Sequence, residues 1–469
     1  MMLLAMGCSD FLSVDNQGIL LADKNFKTAN DVNASIIGLY SFLQPVAQEV
    51  VLYNEVRADL LQTNAISEAG ILELASGGIN SENSYLKLRD FYKIIASCND
   101  ILSKMGAVRP LDPSFTETIY KQYQAEVIGV RTWTFFQISK IYGNVSYYTD
   151  AINSTSDQPQ TAVLTAKETV LKIIDDLSPV MNNFIITYPS SVSIDWRIAR
   201  FNSYAAKMLY AELLMYKGAF SSADLQASYK LASDQLWLVM TEDAGNGSQQ
   251  RYKVGSSYEK SGWGNIFTSL STSYNEVIWA IDFSKTNEQT HQLHSLFFTN
   301  PQLLVTTVAL NYFASTDSRT TASITGNKVR KFSVNKTVFE ADAPIILYRA
   351  ADLHLLYAEA INRLGDPDLA MKIVNIGYAQ TEMTPTGQKF YNAQSKGVRA
   401  RAGLATLTLG ITNKQAQAEG YIRDERVREL AFEGKRWESL VRYAILDGTT
   451  TIAVRGQTFP MAKWYAPSN

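Results

Sequence analysis

Cysteine is nearly absent from this 469-residue chain: Cys8 and Cys98 are the only two, so a disulfide framework is excluded. Histidine is almost as scarce, with three residues. His291 and His294 form an H-x-x-H pair in "NEQTHQLHS", but no third ligand lies at a useful spacing, so no metal site is expected. An excess of either charge is also missing. The 43 basic and 45 acidic residues nearly cancel, leaving no electrostatic footprint for nucleic acid. No uninterrupted apolar run reaches the roughly 18 residues of a membrane span, so a water-soluble body is expected. Phosphate-cradling P-loops, dinucleotide glycine patterns and G-x-S-x-G elbows are all lacking, and no cofactor is called for. Paired carboxylates for glycoside hydrolysis cannot be picked out by spacing among 45 acids.

What the chain has is helical period and aromatic side chains, with 25 Tyr, 20 Phe and 7 Trp. Leu353, Leu356, Tyr357, Ala360, Ile361 and Leu364 fall on one helix face, and Ala206, Leu209, Tyr210, Leu213 and Leu214 repeat the spacing. Further helices are predicted near 31–44, 84–106, 115–142, 165–183, 222–240, 367–380, 413–433 and 435–445. Strand signals are few: "EVIWAIDF" at 276–283 and "VRKFSV" at 329–334. The chain is read as mainly α.

Two segments look like copies. "YAELLMYKGAFSSA" from Tyr210 and "YAEAINRLGDPDLA" from Tyr357 both read Y-A-E-x5-G-x4-A. In each, the Gly is expected to supply a left-handed turn closing the first helix. Asp366 and Pro367 are expected to cap and open the second helix of the later copy, and Ser221 with Asp224 to form a capping box in the earlier one. This is a helix pair of the tetratricopeptide type, and "RTWTFFQISKIYG" ends like a worn third copy. Residues 244–275 are different, rich in Gly, Ser and Asn with Tyr252, Tyr258 and Trp263 interspersed. Such loops lie on the surface and carry function. Trp263, flanked by Gly262 and Gly264, is expected to present an exposed indole, whereas Trp133 and Trp279 sit in periodic segments and are expected in the core.

Cys8 follows the short apolar stretch "MMLLAMG" and precedes "SD". The arrangement resembles the end of a bacterial lipoprotein signal, in which the chain is cleaved before a Cys that is then acylated. The absence of a basic residue before Lys24 predicts a precursor that starts upstream of Met1. The expected division is a residual signal segment at 1–7, a lipidated tether at 8–25 and one domain at 26–469. Lipid on Cys8 anchors such a body without a span. Cys98 sits in a helical segment and reads as a buried small hydrophobe.

The segment "RDERVRELAFEGKRWESLVR" strongly resembles the C-terminal signature of SusD/RagB-like proteins. Glu425, Arg426, Glu429, Leu430, Phe432, Glu433, Gly434, Arg436, Trp437, Leu440 and Arg442 match it, while Ser439 stands where the family shows Asp. "DFYKIIASCNDIL", "AEVIGVRTWTFFQISKIYGNV" (with Ser146 for the usual Pro) and "YRAADLHLLYAEAINRLGD" are similar to other family segments. An insertion around 381–396 and a short tail depart from the pattern.

The resemblance implies a mainly α fold: four tetratricopeptide-like pairs, here within about 115–240 and 345–445, and an irregular ligand-binding part at about 57–85 and 244–340. It implies a surface-exposed outer-membrane lipoprotein, not an enzyme, which binds glycan or oligopeptide and delivers it to a SusC-type TonB-dependent transporter. Candidate ligand contacts are Asp59, Asn64 and Tyr85 in the first irregular segment, and Tyr252, Tyr258 and Trp263 in the second. The signature itself is expected to be structural, its charges paired three or four residues apart. A helical glycoside hydrolase and a cytoplasmic tetratricopeptide scaffold are the alternatives; neither accounts for the signature.

Overall fold

The computed structural model describes residues 26–469 apart from 153–160, 187, 189–192, 242–251, 253, 255–259, 271–275, 314, 335, 337–339, 378–395 and 468–469. Cys8 and the segments 1–7 and 8–25 lie outside the described residues, as does most of the insertion near 381–396.

The first long helix, Ala29–Val56, starts at a capping box in which Thr28 and Asp31 satisfy each other's backbone N–H. Its composition is apolar enough for a membrane span. In this fold it is a core helix: Val32, Ile36, Leu39, Leu43, Val46 and Val50 are buried. Each such side chain contributes roughly 1.5–3 kcal/mol by leaving water.

The remaining helices pack one on the next. Leu88–Met105 lies on Glu117–Tyr142, which lies on Ala166–Leu177; Ser203–Phe220 pairs with Leu225–Met240. Leu225–Met240 then packs directly against Ala350–Arg363, which pairs with Pro367–Asn375. The two Y-A-E copies are therefore neighbours in space although 147 residues apart in sequence. The excursion between them is tied back by strand Val277–Ile281, antiparallel to Ile345–Arg349 through a bulge. Both strands are wholly buried; Val277–Ile281 is apolar throughout, and Ile345–Arg349 is apolar up to Arg349, whose charge is paired internally. The other predicted strand is mostly not one. Only Lys328–Val329 pairs, and Lys331–Ser333 form a 3-10 turn that carries the Lys331 ammonium inward.

The later copy is built as its sequence implies. Gly365 has φ +100°, and the Asp366 carboxylate accepts from the Leu369 N–H at 2.9 Å. The earlier copy differs. Gly218 stays within the helix, and its missing Cβ makes room for the Tyr229 ring, 3.0 Å from where that atom would be. Ser221 and Asp224 form no capping box; Asp224 occupies the N-cap position without a side-chain bond. Close packing accounts for this glycine, not a turn.

Helix Lys414–Leu430 packs on Ala350–Arg363 and Pro367–Asn375, while Arg436–Leu446 crosses to Ser203–Phe220 and Ala29–Val56. The chain changes direction at Phe432 (φ +68°) and Gly434 (φ +79°). A Cβ at Gly434 would stand 3.0 Å from the Val51 Cα, so both conformation and closeness demand glycine there. The buried Glu55 carboxylate accepts from the N–H groups of Phe432 (3.1 Å), Gly434 (2.8 Å) and Lys435 (3.0 Å), fixing this turn to the first helix.

The signature charges are internal, and most find partners far away in sequence rather than three or four residues off. Glu429 meets Arg319 (2.8 Å), Arg349 (2.7 Å) and Arg401 (2.6 Å); Glu433 meets Lys331 (2.5 Å) and Arg349 (2.7 Å). Glu276 joins Arg349 and Arg401, Asp317 holds Arg319, and Glu425 takes Arg319 and Arg399. Arg319, Lys331, Arg349, Arg399 and Arg401 thus balance Glu276, Asp317, Glu425, Glu429 and Glu433, all buried. Burial alone would raise the Glu429 carboxyl; Arg401, Arg349 and Arg319 outweigh it and hold it well below the usual range. Among the described residues the local pairing expected of this segment is seen for Glu425 with Arg428, Glu438 with Lys435 and Arg423 with Glu419 just before it. A helix end packed against several elements brings distant charges closer than its own next turn.

The Y-A-E glutamates receive two further signature cations, while Arg426 pairs with Asp352 at 2.7 Å. Glu359 binds Arg442 through two contacts of 2.5 and 2.8 Å, and Glu212 lies 4.0 Å from Lys435. Burial raises the Glu359 carboxyl, but Arg442 outweighs it and brings it to about 2. Trp437 is fully buried, donates to the Trp464 carbonyl at 3.1 Å and lies beneath the Arg57 guanidinium at 4.5 Å. Trp133 and Trp279, also buried, meet edge to face at 5.3 Å.

Candidate functional site

The first irregular segment and the stretch 292–305 are stitched together on the surface. Leu61–Thr63 pairs antiparallel with Leu303–Val305, Leu61 opposite Val305. Below this ladder, Asn64 Nδ2 donates to the Pro301 carbonyl at 2.7 Å and Ser67 Oγ to the Gln302 carbonyl at 2.5 Å. The short helix Ala69–Ser76 interrupts what the sequence presents as an irregular segment; Gly77, at φ +71°, closes it.

Beside this ladder, between the 68–85 and 292–302 stretches, a polar cavity of about 370 Å³ opens, lined by Glu68, Ser84, Tyr85, Gln292, Ser295, Leu296, Asn300 and Gln302. Its polar groups are pre-set by one another. Glu68 accepts from Tyr85 Oη and from Gln302 Nε2, each at 2.7 Å, while the Glu68 N–H donates to Gln302 Oε1 at 2.7 Å. These bonds, from Tyr85 first and Gln302 second, hold the Glu68 carboxyl below its ordinary value. The Tyr85 hydroxyl is pushed up, chiefly by burial and then by Glu68. The Tyr85 ring is seated against Gly70, where a Cβ would approach it to 2.8 Å. Asn83 Oδ1 accepts from the Tyr85 N–H at 3.0 Å. Ser295–Thr299 is a turn of π-helix, wider than the α form, and Asn300 follows it. The outcome is a fixed tyrosine and a cluster of amide, hydroxyl and carboxylate groups facing solvent.

Of the expected contacts, Tyr85 lines this cavity and Asn64 braces its rim. Asp59 is turned away, bound to Arg436 by two contacts of 2.7 Å, so it joins the signature to the first segment. Tyr252 is buried edge to face on Tyr204 at 5.1 Å. Trp263 is not the exposed indole its glycine neighbours imply. It is fully buried with Ile198, Ile266, Phe267 and Ile346, and donates to Glu429 Oε1 at 3.3 Å. Lys331 and Arg349 stand over its ring at 4.8 and 5.8 Å. The freedom granted by Gly262 and Gly264 turns the ring inward, where it lids the buried charge network. Tyr258 lies outside the described residues. Glu68, Gln292, Ser295, Asn300 and Gln302 do not stand out in the sequence, because isolated carboxylate, amide and hydroxyl side chains carry no periodic or motif signal.

His291 and His294 are buried, with His291 Nε2 2.8 Å from the Ala343 carbonyl. Burial takes the His291 imidazole down to about 4. Among the described residues no group of three potential metal ligands assembles.

A helical-repeat scaffold thus carries a polar surface cavity built from its inserted segments. Comparison with known proteins gives the family. The SusD family model matches residues 302–461, and a second, described as starch-binding associating with outer membrane, matches 10–210. A SusD-like protein of Formosa agariphila is 23% identical over 93% of this chain and 88% of its own length. A SusD superfamily protein of Bacteroides thetaiotaomicron superposes with TM-score 0.69 at 18% identity, covering 90% of this chain and 91% of that one. Surface glycan-binding protein A of the same organism, solved with laminarihexaose, gives 0.68 at 18% identity over 94% and 96%. The chain belongs to the SusD/RagB-like family.

Proposed function

We propose that this protein is a surface-exposed outer-membrane lipoprotein, tethered through Cys8, that binds a glycan or oligopeptide at the Tyr85 cavity. It passes this cargo to a SusC-type TonB-dependent transporter. The observation that carries the binding role is the composition of the cavity: one seated tyrosine and a ring of amide and hydroxyl groups around a single carboxylate. Sugar hydroxyls and peptide groups exchange donors and acceptors with such a lining, and a ring stacks on an aromatic face. Cleavage of a glycosidic bond ordinarily needs two carboxyl groups flanking it. Among the described residues Glu68 is the only one lining this cavity, and it is already engaged by Tyr85 and Gln302. That supports capture without chemistry.

The outer-membrane location rests on the matched family description, and the glycan class on the neighbour solved with laminarihexaose. Calorimetric titration against an oligosaccharide and peptide panel, laminarihexaose included, tests the reading. Saturable binding, weakened about tenfold in Tyr85→Ala, is expected, without release of reducing sugar; no binding by any panel member, or catalytic release, would refute it. Mass spectrometry of the native N-terminal peptide is expected to find acylated Cys8. The transporter is expected to co-purify from detergent-solubilised outer membranes.

A further inference from the structure

A second cavity, of about 610 Å³, lies on the other side of the 68–85 segment, within the range of small-molecule sites. Gly77 and Ile79 form one wall, the helix end Tyr142–Asn144 another, and residues 462–467 a third; Thr165, Lys167 and Phe220 complete it. Tyr465 is seated on the turn after Tyr142, where a Cβ on Gly143 would approach its ring to 2.8 Å. With Phe220 and Ile79 it gives the cavity apolar platforms, and Asn144 and Thr165 supply polar groups.

Among the described residues the lining includes Lys167 and Lys463 but no Asp or Glu. The Glu168 carboxylate, next to Lys167, is taken up by the Thr165 N–H (2.9 Å) and hydroxyl (2.8 Å). Both lysines are exposed, and among the described residues neither ammonium has an ion pair or a side-chain hydrogen bond. A third cation stands behind the wall. Arg57 is fully buried and donates to the Lys463 carbonyl; its Nη1 lies 3.4 Å from where a Gly77 Cβ would be. Among the described residues its Nε and Nη1 have no hydrogen-bond partner, and its charge rests on the rings of Trp437, Phe459 and Tyr53 rather than on a carboxylate. Buried and uncompensated, it is weakly screened by solvent and adds to the positive potential of the wall.

We propose that this cavity is a second ligand site that takes an acidic sugar unit, the anionic group on Lys167 and Lys463 and the ring against Tyr465 and Phe220. The anion is a uronate carboxylate or a sulfate ester; both present a compact negative charge on a pyranose. The proposal rests on the glycan-binding reading, and the two can fail separately.

The test is calorimetric titration of the whole protein with trigalacturonate, a κ-carrageenan tetrasaccharide and neutral laminarihexaose. The first two probes distinguish carboxylate from sulfate. At least one is expected to bind the parent protein and to weaken about tenfold or more from about 50 mM to about 500 mM sodium chloride. The exposed double variant Lys167→Ala/Lys463→Ala is expected to weaken that probe by a further factor of about ten, with the melting temperature and laminarihexaose binding unchanged. Tyr85→Ala is expected to do the reverse. Acidic binding equal in parent and double variant, or laminarihexaose binding with no acidic binding, would overturn the second site alone. Failure of all three probes and of the wider panel would sink the glycan-binding reading along with it.

Discussion

Two regions of this molecule carry dense polar side chains and use them in opposite ways. Around Glu429, charged groups are buried, balanced in sign and satisfied by one another across the fold. Around Glu68, one carboxylate and several amides and hydroxyls are set in position but left facing solvent. Charge density in the sequence therefore points away from the proposed ligand cavity. The segment richest in both signs locks the scaffold, and the quieter stretches at 68–85 and 292–302 line the cavity proposed for recognition. Desolvation explains the division. A buried charge must be paired at once by protein, whereas an exposed amide can wait for a ligand.

The sharpest way to break this contrast is to remove a buried charge. Glu429→Gln leaves Arg319, Arg349 and Arg401 under-compensated in the interior, and breaking such a network costs about 3–5 kcal/mol. A large fall in melting temperature, or failure to accumulate folded protein, is expected; calorimetric unfolding equal to the parent would show that the network is dispensable. Trp437→Ala removes a ring packed beneath Arg57 and against Phe459 and costs about 3–5 kcal/mol by the cavity it leaves. Ligand affinity of its folded fraction is expected to stay at the parental value. On the exposed side, Glu68→Gln weakens the anchoring of Tyr85 and Gln302, so ligand binding is expected to fall a few fold, with thermal stability within a degree or two of parental.

The smallest expected effect is a pH slope. The Glu49 carboxyl is raised to about 8, first by burial, which outweighs its bonds from the Lys87 N–H and Tyr142 Oη. The folded state thus keeps a proton that the unfolded chain releases near its ordinary value of about 4.3. The stability this confers is complete below that value and is lost as pH rises through about 8. Glu49→Gln mimics the protonated form and is expected to flatten the decline in melting temperature between about pH 6 and pH 9. A slope equal to the parent's would exclude Glu49 as its source.

Much of the scaffold is readable from sequence because helix pairs announce themselves locally. The Tyr357 face, the Asp366–Pro367 start and the Gly365 turn all follow from nearest neighbours in the chain. The buried strand Val277–Ile281 is likewise visible as an unbroken apolar run. The charge network is not legible in the same way. The partners of Glu429 lie 28, 80 and 110 residues away, and nothing in the local spacing selects them from the other bases. Trp263 misleads for a related reason. Flanking glycines permit either orientation of the ring, and the pull inward comes from Glu429, Lys331 and Ile346, which only the fold brings near. Tyr85 was within reach because it closes the first inserted segment. Its partner Glu68 and the Gln302 that Glu68 also holds were not, since a Gln 234 residues from Glu68 is brought to it by the Leu61–Val305 ladder.

Trp263 and Tyr85 together give the most direct test of the division between core and recognition surface. Each is changed to Ala, and the melting temperature and the affinity for the best binder from the panel are measured on the same samples. Tyr85→Ala is expected to lose about tenfold in affinity, near 1.4 kcal/mol, while melting within a degree or two of the parent. Trp263→Ala is expected to melt many degrees lower, consistent with a loss of about 3–5 kcal/mol, with the affinity of its folded fraction intact. The opposite pattern, an unchanged melting temperature with lost binding in Trp263→Ala and unchanged binding in Tyr85→Ala, would contradict the account.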